Sequence, residues 1–318
     1  MNTIQHLAQA KKPLIEVRDL VTRFDLKGGL LGRTTGRVHA VENVSFDIFP
    51  GETLALVGES GCGKSTVARS MMQLDRPQSG SIRYQGTELV GASNRDLRRF
   101  RREAQMVFQD PFSSLNPRMT IAQALIDPMR VHRLGGSAAL RARAADLLAK
   151  VNLPSEYLER YPHAFSGGQR QRICIARALA LDPRLMIADE AVASLDVTIQ
   201  AQVINLLMDL QQDMGIAILF ISHDMAVVER IAHRVAVMYL GEIVEIGDRR
   251  SVFGNPQHPY TRKLLSTVPV ADPARRSIAR EPLSDEIPSA VRSPDFVPVA
   301  LPIIKVSPTH YVRATQPV

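Results

Sequence analysis

A short apolar run that ends in a glycine-rich turn constrains this chain more than any other feature. Thr53-Leu-Ala-Leu-Val57 leads directly into Gly58-Glu59-Ser60-Gly61-Cys62-Gly63-Lys64-Ser65-Thr66, which fits G-x-x-x-x-G-K-[ST]. The glycines let consecutive backbone N–H groups turn inward around phosphate oxygens, Lys64 reaches the terminal phosphates, and the Ser65 hydroxyl can ligate Mg²⁺. The following Val67-Ala-Arg-Ser-Met-Met predicts a helix whose positive N-terminal end faces the same phosphates. Strand, turn and helix in this order make a phosphate cradle of residues 58–66.

Two further apolar runs, Leu185-Met-Ile-Ala188 and Ile216-Ala-Ile-Leu-Phe-Ile221, are likewise of strand length. Strands apolar on both faces and separated by helical stretches predict a mostly parallel sheet covered by helices. The run from Leu185 ends in Asp189-Glu190. Ligands of parallel α/β sheets gather at the carboxyl ends of strands, so Asp189 is expected beside the cradle as a direct or water-mediated Mg²⁺ ligand. Glu190 is then placed to orient or deprotonate an attacking water.

Around this core, Leu14 to Phe24 alternates enough to predict an outer strand, and the Gly- and Arg-rich stretch Lys27 to Arg37 reads as an exposed loop. Helical periodicity over Ile121–Met129 and Ala138–Val151 predicts a helical subdomain between Asp110 and Phe165, inserted between two halves of the sheet domain. Residues 1–13 are polar and unpatterned. Beyond Asn255 prolines become frequent and the patterning fades, which predicts an extension rather than a second core.

Charge and cysteine content narrow the partners. The 318 residues carry 39 Lys+Arg against 32 Asp+Glu, a net charge of +7 that suits nucleic acid or the anionic inner face of a membrane. Two cysteines, Cys62 and Cys174, supply neither a disulfide framework nor a four-thiolate metal site, and a reducing compartment is expected. Met1-Asn-Thr-Ile-Gln-His opens without the apolar core of a signal peptide, and no run reaches the roughly 18–20 apolar residues of a membrane span. Arg95 to Arg102 packs five arginines into eight positions. On a helix this forms a solvated face or contacts lipid headgroups. None of the familiar DNA- or RNA-recognition motifs is present, so no nucleic-acid partner is expected.

Phe165-Ser166-Gly167-Gly168-Gln169-Arg-Gln-Arg172 then resembles the signature motif of ATP-binding cassette (ABC) ATPases. A Ser and two glycines opening a helix make a second anion-binding N-terminus in their own right. The resemblance covers about residues 14–254 as the cassette, with 255–318 as a C-terminal extension. It implies an α/β P-loop NTPase cassette with a mostly parallel core sheet, antiparallel strands on the N-terminal side and an inserted helical subdomain. It further implies ATP and Mg²⁺ as ligands, and a head-to-tail dimer in which Ser166, Gly167, Gly168 and Gln169 close over ATP held by the facing cradle.

Single residues are carried over on the same basis. Gln109, in Met106-Val-Phe-Gln-Asp-Pro, matches the glutamine loop that touches Mg²⁺ and the water. His223, in Phe220-Ile-Ser-His-Asp, matches the switch histidine that contacts the γ-phosphate and supports Glu190. Ser194, Leu195 and Asp196 occupy the dimer-contacting D-loop, where Ala193-Ser194 inverts the common Ser-Ala order and Ala191 stands in place of a proline. Phe24 is the nearest aromatic for stacking on adenine, with a strand-core role as the competing reading.

Asp110-Pro-Phe-Ser-Ser-Leu-Asn-Pro117, Leu195-Asp-Val-Thr-Ile-Gln200 and Asn255-Pro-Gln-His-Pro-Tyr-Thr-Arg-Lys-Leu-Leu265 resemble the oligopeptide, dipeptide and nickel importer ATPases of bacteria. The stretches Asp189–Asp196 and Ser222–Ile231 look most like the second cassette of the glutathione-importing members. The resemblance implies an ATPase peripheral to the cytoplasmic face of the inner membrane. Its implied partners are a second cassette chain, two transmembrane permeases and, indirectly, a solute-binding protein. Fused relatives carry two cassettes, whereas one set of motifs is present here. Cys62 in the cradle and Cys174 in the signature helix leave no cluster for an iron–sulfur centre. The rival expectation is a soluble cassette ATPase acting on nucleic acid or ribosomes.

Overall fold

A computed structural model of the chain describes residues 12–28, 33–266, 291–299 and 301–315. The expected N-terminal tail lies outside the described residues except for its last two positions, as does the extension over 267–290.

The elements run β1 (Ile15–Gly28), β2 (Arg33–Ile48), β3 (Thr53–Val57), α1 (Lys64–Met71), β4 (Ser79–Tyr84), β5 (Thr87–Glu88), α2 (Asn94–Glu103), β6 (Ala104–Val107) and α3 (Pro111–Ser114). They continue with α4 (Ile121–Val131), α5 (Ser137–Lys150), α6 (Gly167–Leu179), β7 (Leu185–Asp189), α7 (Val197–Met214), β8 (Ala217–Ser222), α8 (Met225–Ile231), β9 (Arg234–Tyr239) and β10 (Glu242–Asp248). Helices α9 (Arg249–Gly254) and α10 (Pro259–Ser266) and strands β11 (Val291–Arg292), β12 (Ile303–Ser307) and β13 (His310–Arg313) complete the chain.

Two compact units result, one of residues 1–47, 54–91 and 222–318, the other of 48–53 and 92–221. In the first, β11-β2-β1-β4-β5 lie side by side, with β1 antiparallel to β4 and β11 antiparallel to β2. A second run of strands in this unit, β12-β13-β10-β9-β3, pairs β3 parallel to β9 and the remaining neighbours antiparallel. Every residue of β3 is buried, as a strand covered on both faces requires.

The second unit is built on the parallel neighbours β8-β7-β6, with β7 and all of β8 buried along their length. Its helices begin where the sequence supplies an acceptor for the first free N–H groups. Thr120 and Gln123 form a reciprocal capping box at α4, and Asp196 caps α7 through Ile199 N–H at 3.0 Å. Helix α7 stops at Gly215, whose φ of 63° is the left-handed turn glycine adopts at low cost. The arginine-rich run is α2, anchored by buried Phe100 with Arg95, Arg98, Arg99 and Arg102 exposed.

Two expectations need correction. Lys27 to Arg37 is not simply an exposed loop: β1 continues to Gly28 and β2 starts at Arg33, and the arm carries an Arg37–Asp25 ion pair at 2.6 Å. Its outer residues are exposed and held by strand pairing, so hydropathy does not betray them. In the C-terminal extension the patterning does not simply fade. β11 adds to β2, and the β12–β13 hairpin adds to β10, each by long-range pairing that local periodicity cannot reveal.

Candidate functional site

In the first unit the cradle grows from the end of β3. Gly58 and Gly63 have φ of 156° and 107°. A Cβ at Gly58 would lie 2.2 Å from the Met238 carbonyl oxygen, and one at Gly63 would lie 1.9 Å from that of Ala40. The loop is therefore pressed against neighbouring backbone at both ends, and only glycine satisfies the conformation and the space together.

Lys64 opens α1 and is buried, its ammonium donating to the carbonyl oxygens of Gly58 and Glu59, both at 2.8 Å. A buried ammonium held by the loop's own carbonyls is poised for a stronger anionic acceptor. Ser65, on the first turn, is exposed, and so are Ser60 and Gly61. Burial pushes the Cys62 thiol up, against the opposing effect of Lys64. His223 is exposed directly after β8, ahead of Asp224, which caps α8 through Ala226 N–H at 2.9 Å. Phe24 is 42% exposed on β1, which excludes the strand-core reading and leaves its ring accessible.

In the second unit β7 delivers Asp189, 7% exposed, and Glu190 at its carboxyl end. Glu190 has φ of 47°, a left-handed conformation that costs a non-glycine residue about 1–3 kcal/mol. Its N–H donates to the Ile221 carbonyl at 3.1 Å, tying the turn to β8. Gln109, after β6, donates through Nε2 to Glu190 Oε2 at 2.7 Å. Two candidates far apart in sequence are thus joined.

Also in this unit, Ser166 caps α6. Its Oγ accepts from Gln169 N–H at 3.3 Å, and Gln169 Oε1 accepts from Ser166 N–H at 3.1 Å. Gln169 therefore stabilises the start of the helix, while the exposed Ser166 retains its hydroxyl proton to donate. The two glycines differ. A Cβ at Gly167 would meet Leu195 Cδ2 at an ordinary 3.8 Å, whereas at Gly168 it would lie 2.3 Å from Ile199 Cγ2 on α7. Helix packing within the unit requires Gly168 to be glycine, which the motif alone did not reveal. In the D-loop Ser194 and Asp196 are exposed and Leu195 is half-buried, while Ala191 is buried. Cys174 lies inside α6, and burial raises its thiol pKa to about 11.

The sequence reading missed Tyr260. It stands on α10 in the first unit, and its hydroxyl accepts the Glu59 N–H at 2.9 Å. Its signal was the Asn255–Leu265 segment, which pointed to a relationship but not to a contact with the cradle.

Residues 41–193 match the family model described as ABC transporter, and 244–295 match the one described as oligopeptide/dipeptide transporter, C-terminal region. The glutathione import ATP-binding protein of Escherichia coli (strain K12) is 58% identical over 305 residues, covering 96% of this chain and 49% of that protein. Its counterpart in Pectobacterium atrosepticum is 56% identical over 301 residues, covering 95% of this chain and 48% of that one. The chain spans about half the length of these curated relatives.

Among solved structures, cbiO1 from Clostridium perfringens, part of an ABC transporter complex, superposes with a TM-score of 0.66 at 26% identity, covering 77% of this chain and 92% of that one. A dimeric ATP-binding cassette in a post-hydrolysis state with ADP and Pi gives the same score and identity over 74% of this chain and 99% of its own. Among the described residues no helix is long and apolar enough to cross a membrane. On the cassette and C-terminal matches together, the chain belongs to the ATP-binding cassette transporter family, in its oligopeptide/dipeptide branch.

Proposed function

We infer that the chain is the ATP-binding and hydrolysing subunit that energises a bacterial importer of peptides, in the class of dipeptides, oligopeptides or glutathione. The observation that carries this reading is the presence in one chain of a cassette match over 41–193 and an oligopeptide/dipeptide C-terminal match over 244–295. Identity of 56–58% to glutathione import ATP-binding proteins supports the substrate class and favours import over a role on nucleic acid or ribosomes.

In this reading the loop 58–66 holds the ATP phosphates, and Lys64 leaves the carbonyls of Gly58 and Glu59 for the terminal phosphates. Mg²⁺ fits the donors available, all hard oxygens: the Ser65 hydroxyl, the Asp189 carboxylate and the Gln109 amide oxygen. When bound, the ion supplies neutralisation of charge on the phosphates. Glu190 orients the attacking water and takes its proton, Gln109 holds that carboxylate, and His223 contacts the γ-phosphate. Phe24 stacks on adenine.

Ser166, Gly167 and Gly168 act on ATP held by a facing cassette, with the helix start fixed by Gln169 and with Ser194, Leu195 and Asp196 at the dimer contact. The facing cassette is a second ABC ATPase chain, in a hetero- or homodimer. The division is a cassette over 14–254, with a helical subdomain at about 110–165 that moves the permeases, and an extension over 255–318. The subunit sits peripherally on the cytoplasmic face of the inner membrane, beneath two permeases served by a solute-binding protein.

Co-purification of the tagged chain from native membranes, followed by ATPase assay with candidate peptides and a solute-binding protein, tests this. Two permeases, a second cassette and peptide-stimulated phosphate release are expected. Recovery of only soluble or nucleic-acid-bound partners would sink the transport reading and leave the ATPase chemistry standing.

A further inference from the structure

We propose that Tyr260 is a positioning residue for the cradle, through which the C-terminal part of the chain sets how Lys64 is presented to phosphate. The proposal rests on the ATP-binding reading above and adds to it a residue outside every cassette motif.

One peptide unit carries the argument. The bond between Gly58 and Glu59 is clamped from two sides: its carbonyl accepts from Lys64 Nζ at 2.8 Å, and its N–H donates to Tyr260 Oη at 2.9 Å. Hydrogen bonds on opposite ends of one amide fix its plane, so the tyrosine hydroxyl and the ammonium together set the orientation of this peptide in the empty loop. The Tyr260 ring is buried and packs on Tyr239, ring centres 4.2 Å apart, and burial raises the phenol pKa, so the hydroxyl stays protonated and neutral.

Tyr260 is in turn fixed by the extension. Its N–H donates to His258 Nδ1 at 3.2 Å. The backbone N–H groups of Gln257 and His258 donate to the buried Glu245 carboxylate at 2.8 and 2.9 Å. Glu245 Oε1 is also 2.7 Å from His310 Nε2 on β13. A continuous polar chain, buried at its core, thus runs from the β12–β13 hairpin through β10 and the α10 N-terminus to the cradle, all within one compact unit.

The consequence for binding is differential. When the ammonium moves to phosphate, the Gly58 carbonyl loses its partner, and Gly58 itself resists rotation least of all residues. Tyr260 then remains as the clamp on that peptide in the nucleotide-bound loop. Without the hydroxyl the peptide is held by Lys64 while the cradle is empty and loses that hold once the ammonium has moved, so the cost falls on nucleotide binding.

The test uses the purified full-length chain and its Tyr260→Phe variant, which keeps the ring against Tyr239 and removes only the hydroxyl. Titration calorimetry with ATP and Mg²⁺ and a steady-state ATPase assay are paired with a thermal melt. Expected are a Kd and KM for ATP raised by about three- to tenfold, the scale of one ordinary hydrogen bond, with kcat unchanged and the melting temperature lowered by no more than about 5 °C. His310→Gln, at the far end of the chain of contacts, is expected to raise Kd in the same direction by a smaller factor.

Wild-type ATP binding with an unchanged Kd in Tyr260→Phe overturns the positioning role and leaves the cradle reading intact. A fall in kcat and melting temperature together, without a change in Kd, overturns it as well, since that is the mark of a merely structural residue. Failure of the wild-type chain to bind ATP overturns both.

Discussion

The signature glycines offer a test in which folding and ligand approach separate. In Gly168→Ala the new Cβ would sit 2.3 Å from Ile199 Cγ2, well inside the ordinary contact range of 3.4–4 Å. Ile199 is β-branched, so this methyl cannot swing away without an unfavourable χ1, and α6 and α7 must shift apart. Overpacking of this kind costs about 1–3 kcal/mol. In a chain of this size each kcal/mol lowers the melting temperature by about 2–4 °C, so Gly168→Ala is expected to melt several degrees below wild type. Adding Ile199→Ala removes the offending methyl, and the double variant should regain most of what Gly168→Ala loses. That non-additivity is the quantity a double-mutant cycle isolates. Differential scanning calorimetry on the four proteins gives the answer. A Gly168→Ala chain that melts with wild type, or an Ile199→Ala change that restores nothing, would refute the packing argument. Gly167→Ala provides the contrast: with only an ordinary 3.8 Å contact and a better helix former in place, it should melt no lower than wild type. A loss of ATPase activity in that variant would then support the proposed approach of Gly167 to a facing nucleotide.

Glu190→Gln is expected to bind ATP normally while phosphate release falls by about 10²–10⁴-fold, the contribution of a general base, and normal turnover would remove Glu190 from that role. Lys64→Ala should weaken ATP binding by about tenfold or more through loss of charge-assisted hydrogen bonds, and an unchanged calorimetric affinity would count against the cradle. Cys174 gives a pH prediction. Its folded pKa of about 11 lies above the ordinary value of 9.0, so its stabilising contribution is complete below pH 9 and is lost as pH rises towards 11. Relative to Cys174→Ala, the wild-type chain should therefore lose about 2–3 kcal/mol across that window in urea unfolding. A pH-independent difference between the two would contradict the assigned burial. Iodoacetamide at pH 8 should leave Cys174 unmodified until the chain is unfolded.

Thr53–Val57 and the nine residues after it made the strand, the turn and the helix start legible without the rest of the chain, because the apolar run, the glycine spacing and the helix-opening residues are all local features of the sequence. The helix start at Ser166 was legible in the same way, and the structure adds a reciprocal cap with Gln169 that spans only three positions. Only the tertiary structure decided that Gln109 bonds Glu190, that Gly168 is demanded by Ile199, that β13 lines up on β10, and that Tyr260 reaches back to Glu59. Each joins residues many positions apart, and no local pattern of hydropathy or charge encodes which distant partner a side chain meets. The backbone of the cradle is thus written in its own residues, while the contacts that hold and present it come from parts of the chain that packing alone brings there.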